Sequence, residues 1–254
     1  MIKYKSGLQR YIESIHELVP ESDPLRLEFQ FESLRDWSLT GDLFDLIEWF
    51  KSQQKHCVMQ VSDIPLSNCQ GWEIDSQTGW ITHESGEFFV VQGIRVGLTQ
   101  SREVQHGWDQ PILTQVGYDG GLLGLLRQRI DGIPHYLIEA KAEPGNPDKV
   151  QISPTLQATF SNLKQAHHGR KPRFANIFEN PQDVAGVVHF EQWMSEDGGR
   201  LHLKRNKGML VEVAEDISIE LPPTFRWVSL FQLKGLIKRN SWVNPHVRSI
   251  ISHL

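Results

Sequence analysis

The segment from Pro134 to Ala142 constrains the fold most, because polar and apolar side chains alternate near its end. A period of two is typical of a β-strand, whose successive side chains point to opposite faces of a sheet. As a strand it would place Glu139, Lys141 and Glu143 on one face. From the residues alone, a solvated face with salt bridges and a chemical site fit this pattern equally well.

A helix is predicted shortly after this strand. The turn residues Pro144 to Pro147 are followed by Ser153 as N-cap and Pro154 at the first helical position. The spacing predicts a helix over 153–168, closed by His167, His168 and Gly169. Its apolar stripe would be Leu156, Phe160 and Leu163, and its polar stripe Gln157, Ser161 and Lys164.

The rest of the chain favours an α+β class, with a mixed β-sheet core and flanking helices. Helical spacing occurs at 7–18 and 41–54, and again after Pro223. Ser195 to Gly199 is predicted to be a hairpin loop. Runs typical of strands occur at 80–83, 87–96, 122–130, 134–142, 184–194, 200–205 and 209–213.

The composition excludes some functions. A net charge of -5 over 254 residues argues against a general nucleic-acid binder. No long apolar run predicts a membrane span or a signal peptide, and Cys57 and Cys69 lack metal-ligand spacing. We therefore expect a cytoplasmic protein that contacts neither nucleic acid nor membrane. The histidine spacing predicts no metal, and the absence of a convincing Gly-x-Gly-x-x-Gly loop predicts no dinucleotide cofactor.

The residues from Glu143 to Asn162 form the string E-P-G-N-x3-V-Q-x-S-P-T-x-Q-A-T-x-S-N. This string closely resembles a motif of the NDP-hexose 2,3-dehydratases, and the resemblance extends over roughly residues 37–254. Further matching segments are Gly71–Asp75 with Gly79 and His83, Ser85–Gly93, Trp108–Gln115, Gly121-x2-Gly124 and Phe225–Ser249.

The resemblance implies a Nudix-like fold with N- and C-terminal helical extensions. Such enzymes usually carry two tandem copies, whereas one copy is recognisable here, so we expect pairing through a homodimer. The expected organisation is an N-terminal segment at 1–70, a Nudix-like core at 71–220 and a C-terminal helical segment at 221–254, forming one structural unit.

The resemblance also implies a reaction: elimination of the C2 hydroxyl from an NDP-4-keto-6-deoxyhexose, such as dTDP-4-keto-6-deoxyglucose. The ketone acidifies the hydrogen on C3, so the reaction needs a base, an acid and no redox cofactor. Lys141 is the expected donor to the C4 oxygen, and Glu143 is the first choice of base, with Glu139 second. His83 and Tyr118 are candidate proton donors.

Substrate-binding candidates follow from chemistry and from the matching motifs. Trp72 and Trp108 could stack on the base, and Arg205 and Arg248 could bind the diphosphate. Uncharged groups suited to sugar hydroxyls are Gln110, Gln115, Gln157, Thr159, Ser161 and Asn162.

Two other functions remain open: a non-catalytic nucleotide-sugar-binding subunit, and an isomerase or epimerase acting on a related keto-sugar nucleotide. Metal-dependent pyrophosphate hydrolysis, the usual activity of Nudix proteins, is disfavoured because the helix predicted at 153–168 contains no Glu or Asp.

Overall fold

The computed structural model describes residues 2–97, 106–118, 120–165 and 170–254. The helices are α1 (Ile2–His16), α2 (Pro24–Leu34), α3 (Leu43–Lys55), α4 (Phe160–Leu163), α5 (Ala175–Glu179), α6 (Leu230–Ile237) and α7 (Pro245–Ile251). The strands are β1 (Trp72–Ile74), β2 (Ile81–His83), β3 (Phe89–Val96), β4 (Trp108–Gln115), β5 (Gly121–Ile130), β6 (Ile133–Ala142), β7 (Val150–Pro154), β8 (Leu156–Thr159), β9 (Val187–Ser195), β10 (Leu201–His202), β11 (Arg205–Val213) and β12 (Phe225–Val228).

Within the described residues the strands form two sheets. Sheet A has the order β1-β2-β3-β4-β10, and its last pair is parallel. Sheet B has the order β12-β6-β5-β11-β9, with β7 added to β6 and β8 added to β5. Strand β11 is parallel to β5 and antiparallel to β9. The mixed sheets and the helices around them confirm the predicted α+β class.

The apolar core lies on both sides of sheet B. On one side, buried residues of α2, α3, α6 and α7, including Phe50 and Leu233, share a cluster with Tyr136 and Ile138 of β6. On the other side, β5, β8 and β11 pack with α5, whose Phe178 is buried there. Helices α2, α3, α6 and α7 therefore belong to the same core as sheet B, while Tyr4 of α1 packs in a separate cluster with Phe31 and Ile133.

The predicted strand over 134–142 is confirmed as β6, but the helix predicted over 153–168 is wrong. Ser153 and Pro154 belong to β7, residues from Leu156 to Thr159 form β8, and the only helical turn before the next gap in the described residues is α4. The N-cap is Thr159, which accepts a hydrogen bond from the Asn162 backbone N–H, and not Ser153. The predicted helix end at 167–169 lies outside the described residues.

Thr155 gives the physical reason for this difference. Strands β5 and β6 are paired as far as Leu126 and Leu137 and then separate, β5 to pair with β8 and β6 to pair with β7. The buried Thr155 hydroxyl lies at this fork, accepting from Leu126 N at 2.9 Å and donating to Leu137 O at 2.5 Å. Pairing with distant strands therefore determines the structure of this segment despite its helical spacing. Because the predicted helix does not form here, its lack of acidic residues is no longer a reason against pyrophosphate hydrolysis.

Two other predictions need correction. The strand predicted at 200–205 is interrupted: β10 pairs with β4 of sheet A, and β11 begins at Arg205. The segment 195–199 is therefore not a simple hairpin loop, because β9 pairs with β11 and not with β10. The helical pattern predicted after Pro223 is preceded by β12, which pairs with β6. The predicted helices at 7–18 and 41–54 correspond to α1 and α3.

Candidate active site

A cavity of about 370 Å³ lies between the two sheets and the start of α7. Strand β6 and the turn that follows it contribute Lys141 and Glu143, β8 contributes Gln157, and sheet A contributes apolar residues from β3 and β10. The full lining is Phe89, Leu123, Lys141, Glu143, Gln157, Ala158, Thr159, Asn162, Glu196, Leu201, Lys204, Asn206, Pro245 and His246.

Lys141 and Glu143 form an ion pair at this cavity. The Lys141 Nζ lies 3.6 Å from Glu143 Oε1 and donates to Gln157 O at 3.1 Å. The Gln157 side chain donates to Glu143 Oε1 at 3.0 Å, and its own oxygen accepts from Asn244 Nδ2 at 2.9 Å. Asn244 also donates to the Ser153 hydroxyl, so the paired strands and the start of α7 together orient this carboxylate.

Glu139 lies on the same strand as this pair but does not line the cavity. Burial raises the pKa of Glu139, and the charge of Lys141 opposes that rise while Glu143 adds to it. The structure therefore separates the two carboxylates predicted as alternative bases, and Glu143 is the one at the cavity.

The polar end of β8 completes this part of the lining. The Thr159 hydroxyl accepts from the Asn162 backbone N–H at 3.2 Å and shares a hydrogen bond with Ser161 Oγ at 2.9 Å. Thr159 and Asn162 line the cavity, and Ser161 contacts it only through Thr159. These side chains offer hydroxyl and amide groups of the kind that recognise sugar hydroxyls.

Lys204 enters the cavity from the connection between β10 and β11. Its Nζ donates to Gln115 Oε1 at 2.5 Å and to Asn206 Oδ1 at 2.8 Å. The Asn206 amide in turn donates to Glu196, and Gln115 donates to Gly120 O at 2.8 Å. Burial lowers the pKa of Lys204, while the charge of Glu196 opposes this effect.

His246 is the remaining ionisable group of the lining. Its Nδ1 lies 3.6 Å from Glu196 Oε1. Burial lowers the pKa of His246; the charges of Glu196 and Glu143 oppose this, and those of Lys141 and Lys204 add to it. The imidazole is therefore neutral near pH 7, and the charges of both acidic groups of the cavity act on its pKa.

Several predicted site residues lie elsewhere. His83 bonds to Ser85 Oγ at 2.9 Å and packs edge-on against Trp72, away from the cavity lining. Trp108 donates to Gln110 Oε1 at 2.6 Å, on sheet A.

The two predicted arginines are also outside the lining. Arg205 is exposed and lies 4.6 Å from the centre of the Trp193 ring. Arg248 donates to Val243 O at 3.0 Å and lines a neighbouring cavity of about 530 Å³. Pro245 lines both cavities. The Tyr118 side chain lies outside the described part of the chain.

The sequence reasoning missed Glu196, Lys204, Asn206 and His246. All four lie far along the chain from Glu143. The pairing of β10 with β4 and of β11 with β5 brings Glu196, Lys204 and Asn206 to the cavity, and α7 brings His246. The one local signal was the Asn244–Pro245 pair, an N-cap followed by proline, which places His246 at the start of a helix.

No group of three His, Cys, Asp or Glu side chains in the described residues is arranged to hold a metal ion. Over the same residues, no helix has the length and apolar character needed to cross a bilayer.

A family model for NDP-hexose 2,3-dehydratase matches residues 43–254, which is most of the chain. This protein belongs to the NDP-hexose 2,3-dehydratase family. Three curated relatives are named dTDP-4-dehydro-6-deoxy-alpha-D-glucopyranose 2,3-dehydratase. Those of Streptomyces violaceoruber and Saccharopolyspora spinosa are 35% identical over 208 residues, and that of Amycolatopsis orientalis is 34% identical over 216 residues.

These matches cover 81%, 80% and 83% of this chain, respectively, but only 45%, 40% and 44% of the relatives. The chain of this family member therefore spans less than half the length of the curated relatives it matches. Among solved structures, a Nudix hydrolase from M. smegmatis, RenU, matches with a TM-score of 0.30 and 16% identity, covering 63% of this chain and 97% of that chain. A likeness this weak leaves the Nudix-like part of the fold as a prediction.

Proposed function

We propose that this protein is an NDP-4-keto-6-deoxyhexose 2,3-dehydratase of deoxysugar biosynthesis. As a carbon–oxygen lyase, it would remove the C2 hydroxyl as water and give a 3,4-diketo-2,6-dideoxy sugar nucleotide. The observation that carries the proposal is the pair of Lys141 and Glu143, 3.6 Å apart at a cavity also lined by the amide and hydroxyl groups of β8 and α4. The matching family supports the same reaction.

In this proposal Glu143 removes the proton from C3 and Lys141 donates to the C4 oxygen as negative charge develops there. Gln157 holds the carboxylate by its hydrogen bond of 3.0 Å. Glu139 is the weaker candidate because it does not line the cavity. The 4-keto group of the substrate accepts the electrons, so the proposal needs no redox cofactor and no metal.

The substrate we propose is dTDP-4-keto-6-deoxyglucose, the sugar nucleotide implied by the names of the relatives. Thr159, Asn162 and Gln157 would bind the sugar. Because Pro245 borders both cavities, a diphosphate could extend from the sugar toward Arg248. Trp72, Trp108, Gln110 and Arg205 do not belong to the lining of either cavity among the described residues and are the weaker binding candidates.

Incubation of the purified protein with dTDP-4-keto-6-deoxyglucose tests the activity. We expect loss of water, detected by reductive trapping of the unstable diketo product and mass spectrometry. Lys141→Ala and Glu143→Gln should each slow turnover by about 100-fold or more, within the usual contribution of acid–base groups. Lys51→Ala is the matched control, since Lys51 is exposed on α3 and pairs only with Glu48. Unchanged turnover in both cavity variants would exclude these roles.

The two alternative functions give different results in the same assay. A non-catalytic binding subunit would bind the nucleotide sugar without turnover. An isomerase or epimerase would exchange the C3 hydrogen with deuterium from solvent and lose no water. Either result with the unaltered protein would replace the dehydratase proposal.

We further propose a homodimer with closed two-fold symmetry, the commonest arrangement of identical subunits. Light scattering should then give twice the chain mass of 29.2 kDa.

A cytoplasmic location is consistent with the two free cysteines, Cys57 and Cys69. We also propose the division into 1–70, 71–220 and 221–254 within one structural unit; the single unit is supported by the core that α2, α3, α6 and α7 share with sheet B.

A further inference from the structure

The proposed elimination requires a second acid. Hydroxide is a poor leaving group, so the C2 oxygen must gain a proton as its bond to carbon breaks. Lys141 and Glu143 already act at the C4 oxygen and at C3 in the proposed function, on which this inference rests. The acid at C2 must therefore come from another part of the cavity.

Lys204 has the right position for this role. It lines the same cavity from the connection between β10 and β11, whereas Lys141 and Glu143 come from β6 and the turn that follows it. Its ammonium carries three N–H groups, and the hydrogen bonds to Gln115 Oε1 and Asn206 Oδ1 use two of them. Both partners are neutral amides, which orient the ammonium without neutralising its charge. We propose that Lys204 is the general acid that protonates the departing C2 hydroxyl.

The electrostatics of the cavity support Lys204 over His246. Burial lowers the pKa of Lys204, which makes its ammonium a better proton donor than an exposed lysine. Burial also lowers the pKa of His246, so this imidazole is neutral near pH 7 and has no readily donated proton. Glu196 lies near His246, and Asn206 links Glu196 to Lys204. The Glu196 carboxylate therefore keeps a negative charge close to the Lys204 ammonium.

The proton and electron balance is complete with these groups. Glu143 takes the C3 proton, and the C–H electron pair forms an enolate whose oxygen accepts a hydrogen bond from Lys141. As the C4 carbonyl reforms, the C2–C3 double bond forms and the C2–O bond breaks, and the departing oxygen takes a proton from Lys204 to leave as water. The resulting enol then loses its O–H proton and gains one at C2. Return of a proton from Glu143 to Lys204 through solvent restores the site.

A partition experiment in D₂O tests the assignment with the full chain. Water loss by the unaltered protein is measured first, because its absence would refute the proposed function and not the role of Lys204. In Lys204→Gln, water loss should fall by about 10²–10⁴-fold while exchange at C3 continues. Recovered substrate should then carry deuterium at C3. The Glu143 side chain is 36% exposed, so its acquired proton can exchange with solvent.

The Lys204→Arg variant distinguishes loss of the proton donor from loss of the positive charge. Its melting temperature shows whether a defect comes from misfolding. Arginine keeps the positive charge and can still donate to Gln115 and Asn206, but it does not give up its proton. It should therefore be nearly as defective as Lys204→Gln, with an unchanged melting temperature. Lys51→Gln is the control on an exposed lysine and should match the unaltered protein.

A substrate analogue with fluorine at C2 provides the second readout. Fluoride leaves without being protonated, so the difference between Lys204→Arg and the unaltered protein should shrink by about tenfold or more. The assignment is overturned if C3 exchange falls as much as water loss, if Lys204→Arg keeps full activity, or if the defect is equally large with the fluorinated analogue.

Discussion

The Gln157 side chain donates to Glu143 Oε1 at 3.0 Å and accepts from Asn244 at 2.9 Å. A residue of β8 thus connects the proposed base to the N-cap residue of α7. The carboxylate is therefore oriented by a neighbouring strand and not only by its own. This arrangement depends on β7 and β8 lying between the diverging ends of β5 and β6.

Gln157→Ala should lower kcat/KM for water loss by about 10–100-fold, because a hydrogen bond to a charged group contributes about 1.5–3 kcal/mol. Steady-state kinetics with the trapped product measures the effect. The comparison is Gln53→Ala on α3, whose side chain bonds only to Pro223 O far from the cavity. Equal rates for the two variants would show that Gln157 does not orient the base.

Thr155→Val should destabilise the fold by about 1–3 kcal/mol, although valine has nearly the same shape. Its loss of the hydroxyl leaves Leu126 N–H and Leu137 C=O without their partner at the buried fork. Urea denaturation measures the free energy of unfolding. Thr155→Ser retains the hydroxyl and should cost about 1 kcal/mol or less. Similar losses in both variants would assign the effect to packing and not to the hydrogen bonds.

The fork also explains which parts of the fold the sequence could predict. Alternation near the end of 134–142 identifies β6, because there Ala140 is buried while Glu139 and Lys141 are only partly buried, and this pattern is local. Between Leu156 and Leu163 the apolar spacing satisfies a helix, yet Leu156 and Ala158 are both buried at strand spacing. The choice is made by pairing with β5, a contact that local periodicity does not contain.

The same limit applies to the cavity. Glu143 and Gln157 belong to one continuous motif, and Lys141 lies two residues before it on the alternating strand, so local sequence could reveal all three. Lys204 and His246 reach the cavity through β10, β11 and α7, and their neighbours in sequence give no sign of that meeting. A second proton donor could be expected from the chemistry, but only the tertiary structure shows which residue is available.

Arg127 of sheet B forms ion pairs with α2, and the stability of the fold should depend on it. Its side chain is fully buried and bonds to Glu28 at 2.9 Å and Glu32 at 2.7 Å, as well as to Glu212. Arg127→Met would leave the buried Glu32 carboxylate without its cation, while Arg129 still pairs with Glu28 and Glu212, and should cost about 3–5 kcal/mol. Chemical denaturation measures this loss. Arg95→Gln, which breaks an exposed ion pair with Asp109, should cost less than about 1 kcal/mol. A comparable loss in both variants would contradict the importance of burial.

Glu212 should make the protein sensitive to acid. Burial raises the pKa of Glu212, but the hydrogen bond with His189 and the charges of Arg127 and Arg129 outweigh it and hold the pKa at about 2, below the ordinary 4.5. Since the carboxylate of the unfolded chain takes up its proton first, the stabilisation is present above about pH 4.5 and is lost as the pH falls toward 2.

The free energy of unfolding should therefore fall over this range, and Glu212→Gln should flatten the decline because an amide does not titrate. Urea denaturation of both proteins at a series of pH values between about 6 and 3 measures the two slopes. Glu28 adds to the decline because its pKa is also lowered, whereas the raised pKa of Glu32 acts in the opposite direction. The difference between the two proteins isolates Glu212, and parallel slopes would mean that its pKa does not change on folding.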